Sequence, residues 1–255
     1  MSSILGPNSY ASAGNRGFGN QIIRSLGASL FAEKFNLFIN YPLYDEIKKL
    51  HIDLFIGTQR YNITKELTDN NYFDYLKEEN IDFNITTNSY FQTNDITNHI
   101  HKYLHSEKIM NKIMNNSEYK NRYNNNNDCF IHIRLGDVSN FNPGFEYYDN
   151  IISKISFSNL YIATDTQNHE IINKLKNKYS DLKIYDTTLT DIILFGSSCK
   201  YVVLSYGTFS AIIGYLAFYS HVYYLKYREK YAWGSPPSCD IFRNKYSKIS
   251  SWIEN

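Results

Sequence analysis

The stretch Cys129-Phe-Ile-His-Ile-Arg-Leu-Gly-Asp137 decides the fold that we expect for this chain. Its first half is almost wholly apolar and predicts a buried strand over residues 129–133. His132 and Arg134 are two residues apart, so a strand presents them on the same face. Open α/β sheets bind ligands at the carboxyl ends of their strands, and an arginine there can form a bidentate pair with a phosphate group. The stretch therefore predicts a parallel sheet with an anion-binding end.

The sequence after this stretch alternates regularly between short apolar runs and helical patterns. Strands are predicted over residues 129–133, 160–163, 182–185, 201–204 and 221–225, the last closing the series. Helices are predicted over residues 146–155, 169–178, 190–197 and 208–219. Such alternation indicates a parallel sheet covered on both faces, and nearly continuous apolar strands fit burial on both sides. The second half is therefore predicted to be Rossmann-like.

The first half of the chain has a weaker pattern. Apolar residues at helical spacing predict a helix over residues 20–35, followed by a short strand over 37–39. Residues 45–105 mix short apolar runs with polar residues and allow no assignment. A polar helix is expected over 106–123.

An uninterrupted asparagine tract at 124–127 is interpreted as a solvated linker. It divides the chain into a predicted N-terminal α/β lobe, residues 1–123, and a C-terminal Rossmann-like lobe, residues 128–255.

Composition excludes several classes of function. The net charge of +1 over 255 residues implies no general attraction to nucleic acid or to an anionic membrane. The three cysteines, Cys129, Cys199 and Cys239, are too scattered for a disulfide framework or a zinc site. The N-terminus shows no signal peptide, and the most apolar run, 211–218, is too short to span a bilayer. A cytoplasmic protein without a membrane segment is expected.

Two further segments have the character of phosphate-facing loops. In Gly17-Phe-Gly-Asn-Gln21, Gly17, Gly19 and Asn20 open a helix, whose N-terminus offers N–H groups and a positive dipole end. The alternative is a glycine-rich turn with Asn20 as its N-cap.

The second segment follows the strand predicted over 201–204. Thr208, Phe209 and Ser210 come after a turn that contains Gly207. Hydroxyl and N–H groups at such a helix start would hold a diphosphate, and the alternative is an ordinary N-cap threonine.

Three more polar residues are candidates with competing structural roles. Asp165 follows the strand over 160–163, where it could accept hydrogen bonds from a nucleoside or cap the next helix. Asp137 could contact the ligand or orient Arg134, and His132 could face the ligand or be a core histidine. Three phosphate-competent loops on one sheet suggest a nucleoside diphosphate ligand. No Asp-x-Asp cluster marks a Mg²⁺ site beside them, so an arginine would have to supply the positive charge.

The quoted motifs resemble those of the fucosyltransferase superfamily, in particular the bacterial-type α-1,2-fucosyltransferases of glycosyltransferase family 11. Gly17-Phe-Gly-Asn-Gln21 resembles that family's Gly-x-Gly-Asn-Gln helix opening, and the His132-Ile-Arg134-Leu-Gly-Asp137 segment resembles its His-x-Arg-Arg-Gly-Asp motif. Phe209-Ser-Ala-Ile-Ile-Gly-Tyr-Leu216 is similar to its Phe-Ser-Trp-Trp-Gly-Ala-Tyr-Leu pattern. Similarity covers residues 14–40 and 129–225.

The resemblance implies a GT-B-like fold of two Rossmann-like lobes, with GDP-fucose as the donor bound by the C-terminal lobe. It also implies inversion at the anomeric carbon, no metal or other cofactor, and a glycan acceptor. By the same resemblance, Arg134 is the catalytic residue that binds the diphosphate and stabilises the leaving GDP. The implied donor-binding residues are Gly17, Gly19, Asn20, His132, Asp137, Asp165, Thr208, Phe209 and Ser210.

The chain departs from the family pattern at three positions. Leu135 replaces the second arginine, which bears on the linkage, and Ala211 and Ile212 replace a tryptophan pair. Two alternatives therefore stay open: a transferase that uses another nucleotide sugar, and a non-catalytic module that binds nucleotide sugars or glycans.

Overall fold

The computed structural model describes residues 17–136, 139, 142–225 and 251–254. The helices formed within these ranges are α1 (Phe18–Phe35), α2 (Tyr44–Lys48), α3 (Tyr72–Lys77), α4 (Asn94–Leu104), α5 (Glu107–Asn116), α6 (Phe145–Ile152), α7 (Glu170–Lys178), α8 (Leu189–Ser197) and α9 (Thr208–Leu216). The strands are β1 (Ile63–Glu66), β2 (Phe83–Thr86), β3 (Cys129–Ile133), β4 (Leu160–Thr164), β5 (Lys183–Ile184), β6 (Tyr201–Val203), β7 (His221–Tyr224) and β8 (Ser251–Glu254).

Six of these strands form one sheet in the order β5-β4-β3-β6-β7-β8. Every neighbouring pair is parallel. Counted from β3, this is the order 3-2-1-4-5-6 of dinucleotide-binding Rossmann folds, in which ligands bind where the strand order reverses. That reversal lies between β3 and β6. The predicted α/β class with a mostly parallel sheet is confirmed, and the order is compatible with a Rossmann-like fold.

The two faces of the sheet follow from the alternation of side chains along β3. Cys129, Ile131 and Ile133 lie in the core that includes α6 and α7, while Phe130 lies in the larger core with α8 and α9. All of β3 is buried. His132 is on the same face as Phe130, so it faces α9, and this placement sets up the candidate site.

The N-terminal part of the chain is joined to this sheet by packing. Apolar residues of α1 and α4 belong to the same buried core as those of α8 and α9. β1 and β2 form a separate two-stranded parallel sheet. The predicted strand over 37–39 is wrong, because Leu37 forms an isolated parallel bridge with Gln59 instead. The division into lobes at 1–123 and 128–255 stays a prediction.

The second half of the asparagine tract, Asn126 and Asn127, is hydrogen-bonded to loops beside the sheet and is not a solvated linker. The Asn126 side chain donates to the carbonyl of Ser198 and accepts from the backbone N–H of Lys200. The Asn127 amide donates to the carbonyl of Ser156. These bonds join the tract to the loops at the amino-terminal edge of the sheet.

The sheet continues beyond the strand that was expected to close it. β8 pairs in parallel with β7. Trp252 of β8 packs directly against Gly214 of α9, since a Cβ atom on this glycine would lie 2.6 Å from the indole ring. Segment 251–254 is too short for the sequence alone to predict a strand there. Among the residues described, no helix has the length and apolar character needed to cross a bilayer.

Candidate functional site

Arg134 lies directly after β3, at the point where the strand order reverses. Its backbone N–H donates to Ser205 Oγ over 3.2 Å, and its carbonyl accepts from the Asn142 amide over 3.0 Å. Its guanidinium is close to Gly207, because a Cβ atom there would be 3.0 Å from Arg134 Nη1. Gly207 has φ +111°, which L side chains rarely adopt. The arginine is thus fixed at its backbone and placed beside the turn that opens α9.

A network of buried side chains connects the turn at Gly207 to the neighbouring strand ends. His132 Nδ1 and Ser210 Oγ are 2.6 Å apart, and Ser210 Oγ is 3.1 Å from Ser205 Oγ. Since Ser205 also accepts from the N–H of Arg134, the end of β3, the end of β6 and the first turn of α9 share one hydrogen-bonded network. Buried hydroxyl and imidazole groups with partners stabilise a single arrangement of these segments.

His132 has the contacts of a buried supporting residue. Its ring centroid is 5.0 Å from that of Phe209, and the residue is 8% exposed. The pKa of His132 is lowered to about 4, mainly because the imidazole is buried; nearby Asp165 opposes this shift and Arg134 adds to it. The imidazole is therefore neutral at neutral pH. These contacts match the core role that the sequence left open for His132.

Asp165 organises the loop that follows Arg134. Its Oδ1 accepts the backbone N–H of Leu135 over 2.7 Å, and its Oδ2 accepts that of Gly136 over 3.1 Å. Gly136 fits closely, since a Cβ atom on it would be 3.0 Å from Asp165 Oδ2. The carboxylate at the end of β4 thus holds the loop at the end of β3.

The first turns of α1 and α9 meet at this end of the sheet. A Cβ atom on Gly19 would be 2.3 Å from the backbone nitrogen of Phe209 and 2.5 Å from the carbonyl carbon of Thr208. Only glycine permits this approach of two backbones. The sequence predicted that Gly19 would admit a ligand, but the group that it admits is the backbone of α9.

Neither of these two helices carries an acidic residue of its own at its start. α1 and α9 carry no acidic residue in the first turn, and their N-caps, Gly17 and Gly207, make no side-chain capping bond. The acidic first-turn residues of the other described helices are Asp45, Glu46, Asp74, Asp95, Glu107, Glu146, Glu170 and Asp191. Since helix N-termini attract anions, two such ends beside Arg134 favour a negatively charged ligand.

Asn20 lies within α1 and not at its N-cap, because the helix begins at Phe18. Its Oδ1 accepts a hydrogen bond of 2.8 Å from Gln92 Nε2. Gly17 is exposed, and a Cβ atom on it would meet nothing within 4 Å. The helix opening therefore contributes a close packing contact at Gly19 and a polar side chain at Asn20.

The structure brings most of the predicted residues to one end of the sheet. Arg134, His132, Asp165 and the first turn of α9 are linked there by the contacts described above, and Gly19 joins α1 to them. Thr208 is buried and Phe209 half-buried. Asp137 lies outside the described residues.

Three residues of the site were not singled out by the sequence. Ser205 could have been found from its position, because it lies between the end of β6 at Val203 and the turn at Gly207. Asn142 binds the carbonyl of Arg134, and Gln92 binds Asn20 from a loop in a distant part of the sequence. Neither shows a local signal, since each contact depends on the tertiary fold.

Comparison of the chain with models of known protein families gave no match, and no curated protein matched it either. Within the described residues, no group of three or more His, Cys, Asp or Glu side chains is placed to hold a metal ion. The site is thus characterised by its own geometry: an arginine and two helix starts without acidic first-turn residues, at the switch point of a parallel sheet.

Proposed function

We propose that this protein is an inverting, metal-independent glycosyltransferase that moves fucose from GDP-fucose to a hydroxyl group of a glycan, forming an α-1,2 linkage to galactose. The donor is bound at the end of β3 and β6, in the C-terminal part of a GT-B arrangement. The N-terminal part, with α1 at the junction, contributes the acceptor side.

The observation that carries this proposal is the position of Arg134. Its guanidinium lies beside Gly207, at the start of α9, where the strand order reverses between β3 and β6. A diphosphate placed there would meet a planar cation and the positive end of a helix together. Both are suited to a ligand with two adjacent phosphate groups.

The proposed chemistry follows from where charge develops. Transfer breaks the bond between the anomeric carbon and the β-phosphate oxygen, so negative charge grows on GDP while the sugar becomes oxocarbenium-like. Arg134 is fixed at its backbone by Ser205 and Asn142, and it would stabilise the leaving diphosphate without reorganisation. The acceptor hydroxyl attacks from the opposite side and loses its proton to a base, which gives inversion.

The departures from the family pattern lie in the core of the protein. Leu135 is 3% exposed, and Ala211 and Ile212 are fully buried in α9. Their side chains pack against apolar neighbours and do not contribute to the exposed end of the site. The substitutions therefore leave the anion-binding arrangement around Arg134 intact.

Two other functions use the same site. A transferase for a different nucleotide sugar would keep Arg134 and the α9 start but recognise another base or sugar. A non-catalytic module would bind nucleotide sugars or glycans without turnover.

Nucleotide release from a panel of donors separates these three functions. The purified protein is incubated with GDP-fucose, GDP-mannose, UDP-sugars and TDP-sugars in the presence of EDTA, with and without galactose-ended glycans. GDP release from GDP-fucose alone, accelerated by glycan, supports the proposal. Release from another donor supports the first alternative, and GDP binding without release supports the second.

Arg134→Ala and Arg134→Lys test the site itself. Loss of the charge-assisted contact should lower the rate by about 10- to 100-fold or more, and lysine should restore only part of it, because it cannot pair in a bidentate way. Arg60→Ala is the matched control, since exposed Arg60 lies over the ring of Phe38 outside the site. An Arg134→Ala protein with the rate of Arg60→Ala would exclude the proposed role.

A further inference from the structure

We propose that Gln92 is a positioning residue, which determines whether the donor or the acceptor end of the Asn20 side-chain amide faces the candidate site. This inference rests on the proposed function, because it takes the diphosphate of the donor as the ligand. It adds a residue from the loop after β2 to a site otherwise built by α1, β3, β6 and α9.

The hydrogen bond between the two amides fixes their relative orientation. Gln92 Nε2 donates to Asn20 Oδ1 over 2.8 Å, and Gln92 is 9% exposed while Asn20 is half-buried. An amide is planar, and its oxygen and nitrogen diverge from the same trigonal carbon. As long as the Asn20 oxygen is held by Gln92, the Asn20 N–H₂ group is directed away from Gln92.

The loop that carries Gln92 is itself held in one conformation. Phe91 has φ +55°. Its ring packs directly against Gly27 of α1, since a Cβ atom on that glycine would be 2.6 Å from the ring. The backbone N–H of Asp69 donates to Ser89 Oγ, and the backbone N–H of Ser89 donates to Thr87 Oγ1. A side chain that leaves such a loop has few alternative directions, so its amide is a fixed reference for Asn20.

The direction of the Asn20 amide matters for an anionic ligand. Asn20 follows Gly19, which contacts the start of α9, and that start adjoins Gly207 and the guanidinium of Arg134. An N–H₂ group directed to this region donates a hydrogen bond to a phosphate oxygen, whereas a carbonyl oxygen in its place repels it. By holding the Asn20 oxygen, Gln92 leaves the Asn20 N–H₂ group as the part of the amide that can donate to the ligand.

The proposal makes opposite predictions for acceptor and donor side chains at this position. In Gln92→Glu the carboxylate only accepts, so Asn20 should turn its N–H₂ toward it and present oxygen to the ligand. In Gln92→Lys the ammonium group only donates, so the present orientation of Asn20 should be kept. GDP binding measured by calorimetry should weaken about 10- to 100-fold in Gln92→Glu and stay within about 3-fold of wild type in Gln92→Lys.

A double-mutant cycle with Asn20→Ala separates orientation from charge and packing. If Gln92 acts through Asn20, Gln92→Glu should cause no further loss of GDP affinity in the Asn20→Ala background. An equal loss in both backgrounds, or wild-type affinity in Gln92→Glu, would overturn the proposal. Should the charged variants not fold, as judged by thermal unfolding, Gln92→Met takes their place. It neither donates nor accepts, so it should weaken binding a few-fold, and only when Asn20 is present.

The wild-type titration distinguishes the two levels of inference. A wild-type protein that binds no GDP excludes the proposed function, and the role of Gln92 falls with it. A wild-type protein that binds GDP without coupling between positions 20 and 92 excludes the role of Gln92 alone.

Discussion

The guanidinium of Arg134 lies against the turn at Gly207, so closely that a single added methyl group would come within 3.0 Å of Nη1. Gly207 also has φ +111°, so the conformation of the turn and the position of the arginine depend on the same residue. This relationship makes Gly207 a sensitive test of the site.

Gly207→Ala should reduce both stability and GDP affinity. A non-glycine residue at this φ costs about 1–3 kcal/mol, and the new methyl group would displace Arg134 from the start of α9. Chemical denaturation and calorimetric titration with GDP measure the two effects. Gly144→Ala is the control, because φ +91° causes comparable strain while the nearest atom to its methyl group belongs to Glu146. Equal loss of GDP affinity in both variants would contradict a specific contact between Gly207 and Arg134.

Gly19→Ala should destabilise the protein strongly. Its methyl group would be 2.3 Å from the backbone nitrogen of Phe209, and two helix backbones cannot yield as a flexible side chain can. We expect a loss of about 3 kcal/mol or more in the free energy of unfolding, comparable to overpacking in a core. Gly17→Ala has open space around its methyl group, so the only expected cost is that of alanine at an N-cap, about 1 kcal/mol or less. Similar stabilities for the two variants would be incompatible with the close packing of α1 and α9.

Asp165→Asn should loosen the loop after β3. The carboxylate accepts two backbone N–H groups, and an asparagine would direct its own N–H₂ against one of them. The expected cost is about 1–3 kcal/mol of stability, measured by urea denaturation. Asp186→Asn is the matched control at the end of the neighbouring strand, where exposed Asp186 accepts from Gln167. Lower GDP affinity of Asp165→Asn at unchanged stability would show that Asp165 acts on the ligand and not on the loop.

Stability should fall as the pH falls below about 6.5. Burial lowers the pKa of His132 to about 4 and that of His105 to about 4, and it lowers the pKa of His101 to about 2. Below the unfolded value of 6.5 the unfolded chain binds these protons and the native chain does not. Each histidine therefore removes up to about 1.4 kcal/mol per pH unit until its folded pKa is reached.

Urea denaturation at pH 7, 6 and 5 checks this dependence. His132→Asn should show a shallower pH dependence than wild type, because one of the buried titrating groups is absent. Identical slopes for the two proteins would mean that the pKa of His132 is not lowered in the native state.

The sheet could be predicted because its strands are short apolar runs bounded by polar residues. β3 was placed at its observed bounds, and β4, β6 and α8 to within one residue at each end. The position of Arg134 at a strand end followed directly from this pattern. The strand order was not predictable in the same way. It depends on which face of the sheet each connecting helix packs against, and no local pattern in the sequence specifies this.

The parts of the fold that the sequence did not predict lack a local pattern. All four residues of β1 are exposed, so no alternation marks the strand. The contact between Gly19 and Phe209, and the bond between Gln92 and Asn20, join segments far apart in the chain. The glycine at position 19 was noticed, but what it accommodates is known only once α9 is in place.

The packing of α1 on α9 also has a consequence for the order of events during synthesis. α1 ends at Phe35 and α9 begins at Thr208, so α1 leaves the ribosome long before the helix on which it packs. Until α9 emerges, the part of α1 that packs on α9 has no partner, whereas α4 and Phe91 can already cover other parts of the helix. Contacts of such long sequence separation form slowly. In a nascent chain arrested before α9, the surface of α1 that packs on α9 should therefore stay exposed. Chaperones that recognise exposed apolar surface should bind such a chain.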